Sequence, residues 1–451
     1  MSNQPGDWSP QSWRGRRARH QPEYVDQTHY ESVLRRLSEL PPLVFPGEVA
    51  QLRERIALAA EGRAFMLHGG DCVERFADCN AQTIANKLKI LLQMSVVLSH
   101  AARVPVVRVG RIAGQFFKPR SEEYETIAGR RVLTYRGDTV NGFQIDDRDV
   151  DPDRLLQGYF HATATLNYIR SMIDGGFADL HHPYSWNLHA MERTPNWDDY
   201  RRIVDSILDA IHFMESFGGL RSESIGRIDF STSHEGLHLG FEEAMTRRDG
   251  DRWYNLGAHL LWIGERTRSI DDAHVEYFRG IANPVGIKVS AQADPREIVE
   301  VVRRLNPENE PGRVVIITRM GANLVSDALP PLIDAVASAG LAVAWVCDPM
   351  HGNTVTLASG RKTRAFDDVL RELQTCFEVH SARRHARPRA TTLAGVHFEL
   401  TGDEVTECTG GAQGLRETDL ESNYQTFCDP RLNYEQSMEM AFLISRFLKA
   451  R

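Results

Sequence analysis

Eight short runs rich in strand-forming residues recur along the chain, separated by longer stretches with helical spacing, and no other feature restricts the fold so strongly. The runs span residues 64–72, 104–111, 228–234, 259–265, 284–290, 313–319, 341–348 and 395–400. Strands that alternate with helices build a parallel sheet covered by those helices. Eight such units predict an α/β fold, a closed (β/α)₈ TIM barrel, rather than a string of small domains. Helical spacing is clearest after the first run, where Ile84, Leu88, Leu91, Leu92 and Val96 share one face. Between the second and third runs the interval is much longer. There, Leu155, Leu156 and Tyr159, then Ile203, Ile207, Ile211 and Met214, mark a helical insertion at about 151–217.

Residues 1–60 read as an N-terminal arm and a helix, and residues 61–451 as the barrel with its insertion. The first forty or so residues are polar with Trp8, Trp13 and Tyr24, and are expected to be extended as far as Pro41-Pro42; Val49, Leu52, Ile56 and Ala59 then predict a helix. With 42% hydrophobic and 25% charged residues, the composition is that of a soluble globular protein. A formal charge of −8 argues against nucleic-acid binding, so the Arg14, Arg16, Arg17, Arg19 and the Arg383, Arg384, Arg387, Arg389 clusters are read as solvated loops. No apolar tract of about 18 residues suggests a membrane span, and the N-terminus lacks an apolar signal core, which points to the cytoplasm. Six cysteines are too sparse for a disulfide framework and are expected to be reduced.

In a barrel of this kind the active site is assembled at the C-terminal ends of the strands. That rule singles out Cys72, Arg111, Glu265, Arg266, Lys288, Arg319, His351 and Glu399, to which Asp429 in Cys-Asp-Pro-Arg-Leu-Asn adds a carboxylate. Cys72, His351, Glu399 and Asp429 mix soft and hard donors, which suits a divalent transition metal acting as a Lewis acid. Arg111, Arg266, Lys288 and Arg319, with Lys118, Arg120 and Ser121 in Lys-Pro-Arg-Ser, would crowd positive charge at one mouth unless anionic, phosphorylated substrates neutralise it. Taken singly, each reads more simply: Cys72 as a core thiol, His351 as a loop histidine, Lys-Pro-Arg-Ser as a solvated turn. A rival metal signal is His234-Glu235-Gly236-Leu237-His238, which matches the H-E-x-x-H pattern of zinc peptidases. That pattern needs a helix, yet the preceding residues read as a strand and Gly236 is a poor helix-interior residue.

The segments GGDCVE, RIAGQFFKPRS, RGDTVNGF, WIGERTR, NPVGIKVS, RMG, CDPMHGNT, GVHFELTGDEVTEC and CDPRLN occur in this order. From about Pro42 to the C-terminus the chain thereby resembles the type II (plant-like) 3-deoxy-D-arabino-heptulosonate 7-phosphate (DAHP) synthases. The resemblance implies a barrel with an N-terminal extension and extra helices after the second strand. It implies metal ligation by Cys72, His351, Glu399 and Asp429, with manganese expected first and cobalt or zinc as alternatives. Arg111, Lys118 and Lys288 match groups around the carboxylate of phosphoenolpyruvate, Glu265, Arg266 and Arg319 the site for its phosphate, and Arg120 and Ser121 the phosphate of erythrose 4-phosphate. Lys288, Arg111, Cys72 and His351 would carry the chemistry. Homo-oligomers and a chorismate mutase partner are also implied, with no nucleic-acid or membrane partner. Two departures stand out, Ser290-Ala291 where the family reads Gly-Pro and Ala322-Asn323-Leu324 where a lysine is usual. They leave open a secondary-metabolism paralogue that takes a related aldose phosphate; a zinc hydrolase and a non-catalytic regulatory partner are the remaining alternatives. The family typically has no second histidine at His238, so the H-E-x-x-H match is read as accidental and His238 as the start of the next helix.

Overall fold

The computed structural model describes residues 8–120, 122–127, 129–175, 197–218, 229–386 and 391–449. Eight parallel strands close into a barrel: β1 (Phe65–Gly70), β2 (Val106–Arg111), β3 (Ser231–Glu235), β4 (Leu260–Ile263), β5 (Val285–Ser290), β6 (Val314–Arg319), β7 (Ala344–Cys347) and β8 (Leu393–Glu399). Each pairs with its sequence neighbours, and β8 returns to β1. All eight expected runs are therefore barrel strands.

Strands covered on both faces are continuous in apolar character, and side-chain alternation decides what each face does. On β5, Val285, Ile287 and Val289 pack against the outer helices. Lys288 and Ser290 then fall on the opposite, inner face. On β8, Val396 and Phe398 share the outer face, while Ala394, at a register shift against β7, joins the interior cluster. Met66, Val107, Val109, Leu260, Trp262, Val315, Ile317 and Val346 fill the interior. Its N-terminal end is plugged by α2 (Pro46–Ala60), whose Leu52, Ile56 and Ala59 join that cluster. With one end closed, the C-terminal ends of the strands are left for chemistry.

Helices α3 (Ala81–Ala102), α8 (Pro295–Leu305), α9 (Val325–Ser338), α10 (Phe366–Ala386) and α11 (Tyr434–Lys449) cover the outside, and short α6 (Leu239–Ala244) and α7 (Ala273–Phe278) follow β3 and β4. Between β2 and β3 lie α4 (Asp153–Asp174) and α5 (Trp197–Gly218). The side chains of Ile207, Ile211 and Met214 lie outside the described residues, as do Arg387 and Arg389.

One expectation needs correction. The arm is not extended throughout, because α1 occupies Gln27–Glu39. Asp26 caps it by accepting from His29 N at 2.9 Å, and Val33, Leu34 and Leu37 are buried with residues of α4 and α6. Three apolar residues at helical spacing in a polar segment form a narrow stripe, and tertiary burial makes it a helix. Three small antiparallel ribbons, at 124–133, 246–255 and 355–363, were also not anticipated.

Candidate active site

A cavity of about 570 Å³ opens at the C-terminal ends of the strands, lined by Cys72, Arg111, Lys118, Arg120, Glu265, Arg266, Lys288, Arg319, His351 and Asp429 among others. Every described residue singled out from the sequence lines it except Glu399, which is fully buried against His351. Ser121 lies outside the described residues. Strand register explains much of this convergence: Gly70 at the end of β1 is level with Arg111 on one side and Glu399 on the other. Gly70 has φ +146°, and a Cβ there would stand 2.5 Å from Arg111 O. Only glycine lets the two strand ends approach this closely.

Three of the four expected metal ligands form a cluster, with donor atoms of His351, Glu399 and Asp429 within 4.8 Å of one another. His351 Nε2 is 3.0 Å from Glu399 Oε1, and Arg364 Nη1 is 2.7 Å from Oε2. Neither carboxylate oxygen has a hydrogen bond of good geometry. A buried carboxylate with unspent acceptor capacity beside an imidazole and a second carboxylate fits a divalent transition metal. Burial would raise the Glu399 carboxyl, but the charges of His351, Arg364 and Arg111 hold it well below the usual range. Burial and Glu399 also raise Asp429, yet Lys118, Arg364 and His351 keep it below its ordinary value.

Cys72 is close to this group, its Sγ 3.7 Å from Asp429 Oδ2, but it is bonded to Cys428. The expectation of six reduced thiols is corrected here; Cys79, Cys347, Cys376 and Cys408 are free. The physical reason is the fold around the pair. Arg431 donates to Asp71 at 2.8 Å, and to Glu407, drawing the loops that carry Cys428 and Cys72 together across 356 residues of sequence.

The cations are individually anchored. Arg111 Nη1 donates to His397 Nε2 at 2.7 Å, and Nη2 donates to Cys72 O at 3.0 Å. A guanidinium can only donate, so the His397 proton sits on Nδ1 and is given to His68 Nδ1, 2.8 Å away. His68 Nε2 then donates to Ser233 Oγ at 2.7 Å, which donates to Gly110 O at 2.9 Å. Burial and the nearby charges of Lys288 and Arg111 keep both imidazoles well below the ordinary histidine range, so the chain stays neutral. Lys288 pairs with Asp348, whose Oδ2 also accepts from His351 Nδ1 at 2.7 Å. Burial pulls the Lys288 ammonium down to about 8 although Asp348 opposes the shift. Burial and then the charge of Arg120 push Lys118 down to about 7. Arg319 Nη2 donates to His351 O at 2.9 Å, tying Arg319 to the loop that carries His351.

Glu265 accepts from Ser290 N at 2.8 Å, Ser290 Oγ at 3.0 Å and Arg268 Nη2 at 2.9 Å. The Ser290 hydroxyl is thus spent on Glu265. Ala322 N donates to Asn353 Oδ1 at 2.9 Å, and Asn323 accepts from Arg371 on the exposed side. Among the described residues, none of these bonds goes to Arg120.

Sequence reasoning missed Gln115, Trp262, Lys362, Arg364 and Asp348. Trp262 lies under Arg111 with its ring centroid 5.2 Å from the guanidinium carbon, and Lys362 Nζ is 2.7 Å from Asp429 Oδ1. Trp262 and Asp348 stand in runs that were recognised, at β4 and just past β7; Lys362 lies in the ribbon before α10 and Arg364 directly after it, where the barrel's strand-end rule does not apply. Glu235 lines the cavity, and burial raises its carboxyl while Lys288 and Arg111 oppose. The H-E-x-x-H pattern is not a metal site. His234 Nε2 is spent on Glu242 at 2.9 Å, and His238 caps α6, Nδ1 accepting from Phe241 N at 3.0 Å. With Tyr24 Oη 3.0 Å from Nε2, His238 is used on both ring nitrogens.

The sequence profile of the Class-II DAHP synthetase family matches residues 8–445, beginning well before Pro42. The phospho-2-dehydro-3-deoxyheptonate aldolase of Neurospora crassa is 46% identical over 98% of this chain and 94% of its own length. The protein of the same name from Streptomyces coelicolor is 46% identical over 97% of each chain.

Proposed function

The chain belongs to the class-II DAHP synthetase family, and on that premise we propose that it joins phosphoenolpyruvate to erythrose 4-phosphate, giving DAHP and inorganic phosphate at the entry to the shikimate pathway. The observation that carries the reading is one cavity lined by seven cations and five carboxylates, with His351 and Asp429 of the His351, Glu399, Asp429 donor cluster in its wall. Two phosphorylated substrates need such an excess of positive charge.

The bond forms between C3 of phosphoenolpyruvate and the aldehyde carbon; water adds at C2 and phosphate leaves. Arg111, Lys118 and Lys288 hold the carboxylate, and Arg266 and Arg319 the phosphate, beside Glu265. Arg120 and Ser121 take the phosphate of the aldose. Holding two anionic molecules face to face offsets their repulsion and supplies a near-attack geometry. Lys288, lowered to about 8 by burial, exchanges a proton near neutrality and is positioned by Asp348 to manage the water or the developing alkoxide. A divalent metal, manganese first and cobalt or zinc otherwise, would be held by His351, Glu399, Asp429 and reduced Cys72 and would supply Lewis acidity toward the aldehyde oxygen. Assembly as a homo-oligomer, association with a chorismate mutase and a cytoplasmic site of action accompany this reading.

The test is phosphate release from phosphoenolpyruvate and erythrose 4-phosphate with added divalent metal, run beside a panel of other aldose phosphates. Turnover at the level of a metal-free blank would remove the assignment, and a preferred aldose other than erythrose 4-phosphate would replace the second substrate.

A further inference from the structure

Residues 17–24 of the arm run beside the loop that carries Lys118 and Arg120. Arg17 O accepts from Ala273 N at 3.0 Å. The Gln21 amide donates to Leu237 O at 2.8 Å and accepts from Leu239 N at 3.0 Å. Tyr24 then reaches His238. Between these fixed points His20 is held at φ +58°, a region that L side chains seldom adopt. Backbone held there persists only where its surroundings over-determine it.

The His20 side chain provides the reason. Its Nδ1 is 2.8 Å from Arg120 O. A carbonyl only accepts, so Nδ1 carries the proton. Burial and the charges of Arg266, Arg136 and Arg19 outweigh that bond and keep the imidazole below its ordinary range, hence neutral near neutral pH. On its other side, the Arg120 loop is tied to the chain beyond it: Arg120 Nε donates to Tyr135 O at 2.8 Å and Lys118 N to Arg136 O at 2.9 Å. Arg111, Lys288 and Arg319 are anchored instead by His397, Asp348 and His351 O, which belong to the barrel.

We propose that His20 is a positioning residue for the phosphorylated aldehyde: by donating to Arg120 O it sets where the Arg120 guanidinium stands, so that the N-terminal arm completes one half-site and leaves the phosphoenolpyruvate half-site alone. The inference rests on the reading of Arg120 as the partner of the aldose phosphate.

Three variants test it in steady-state assays with phosphoenolpyruvate and erythrose 4-phosphate varied separately. His20→Gly removes the donor and is at home at positive φ, so it folds without added strain. Its KM for erythrose 4-phosphate should rise about three- to tenfold, the factor that one hydrogen bond of ordinary net strength represents, with kcat and the KM for phosphoenolpyruvate within about twofold. His20→Asn tolerates the same backbone region and carries a donor, and should restore most of the loss. An unchanged KM for erythrose 4-phosphate in His20→Gly, or an equal rise in both KM values, overturns the proposal. Arg120→Gln is the control on the premise. If it leaves the KM for erythrose 4-phosphate unchanged, the assignment of Arg120 fails; if it raises that KM while His20→Gly does not, only the role of His20 fails.

Discussion

Glu74 offers the sharpest test of how the barrel holds its catalytic loops. Its buried carboxylate accepts from Ala113 N at 3.1 Å through Oε1, and from Gly114 N and Gln115 N, each at 2.9 Å, through Oε2. Ala113 sits at φ +64°, so this tight turn depends on three amides converging on one anion. Bonds to a charged acceptor contribute about 1.5–3 kcal/mol each, a raw sum of roughly 5–9 kcal/mol. Burial raises the Glu74 carboxyl, against the opposing charge of Lys87, so removing it also relieves a desolvation cost. We therefore expect Glu74→Ala to cost about 3 kcal/mol of local stability, and Glu74→Gln somewhat less, because one amide oxygen still accepts. At about 1.4 kcal/mol per tenfold, amide exchange at Ala113, Gly114 and Gln115 should quicken by about a hundredfold, measured by hydrogen exchange against the unaltered protein. The same loop carries Lys118 and Gln115, whose Oε1 accepts from Glu235 N at 2.8 Å. Catalytic efficiency should therefore fall at least about tenfold. Protection of those three amides unchanged in Glu74→Ala would refute the reasoning, whatever happened to activity.

Other consequences are as direct. Lys118 and Lys288 are lowered to about 7 and about 8 in the free site, and anionic substrates favour their charged forms. Affinity should therefore be full about a pH unit below the Lys118 value and fall as pH rises through both values, with proton uptake on binding; two pH units above the Lys118 value correspond to as much as about a hundredfold from Lys118 alone. Calorimetry in buffers of different ionisation enthalpy would expose the opposite sign at once. Metal binding by the protein with the Cys72–Cys428 bridge intact should be weaker than after reduction, while Cys428→Ser should bind manganese equally with or without reductant; equal titrations of both oxidised and reduced protein would contradict this. His238→Ala should cost about 1–2 kcal/mol through the lost cap of α6 yet leave metal stoichiometry unchanged, whereas Asp429→Asn should lower it; the reverse pattern would restore the H-E-x-x-H reading.

Local pattern made the barrel legible. Parallel strands buried on both faces must be apolar along their length, so eight such runs stood out, and the polar or charged residues at their ends marked the mouth. From the same signal came Arg111, Lys288, Arg319 and Glu399, and the order of quoted segments added Asp429. The helix at Gln27–Glu39 was not legible, because a three-residue apolar stripe in a polar arm becomes helical only when α4 and α6 bury it. Arg364 was not legible either: it follows a two-residue ribbon strand rather than a barrel strand, and only the fold brings it 2.7 Å from Glu399.

What the sequence determined by itself was which residue types stand at strand ends, since a period of two and a buried face are properties of short segments. Which of those residues meet, and in what chemical state, was decided by tertiary structure. Register set Arg111 and Glu399 on either side of Gly70, and the Asp71–Arg431 pair brought Cys72 to Cys428. The same folding pressed Lys118 and Lys288 out of water and lowered them to about 7 and about 8. Distance and desolvation are collective quantities, summed over elements hundreds of residues apart, and no local pattern encodes them.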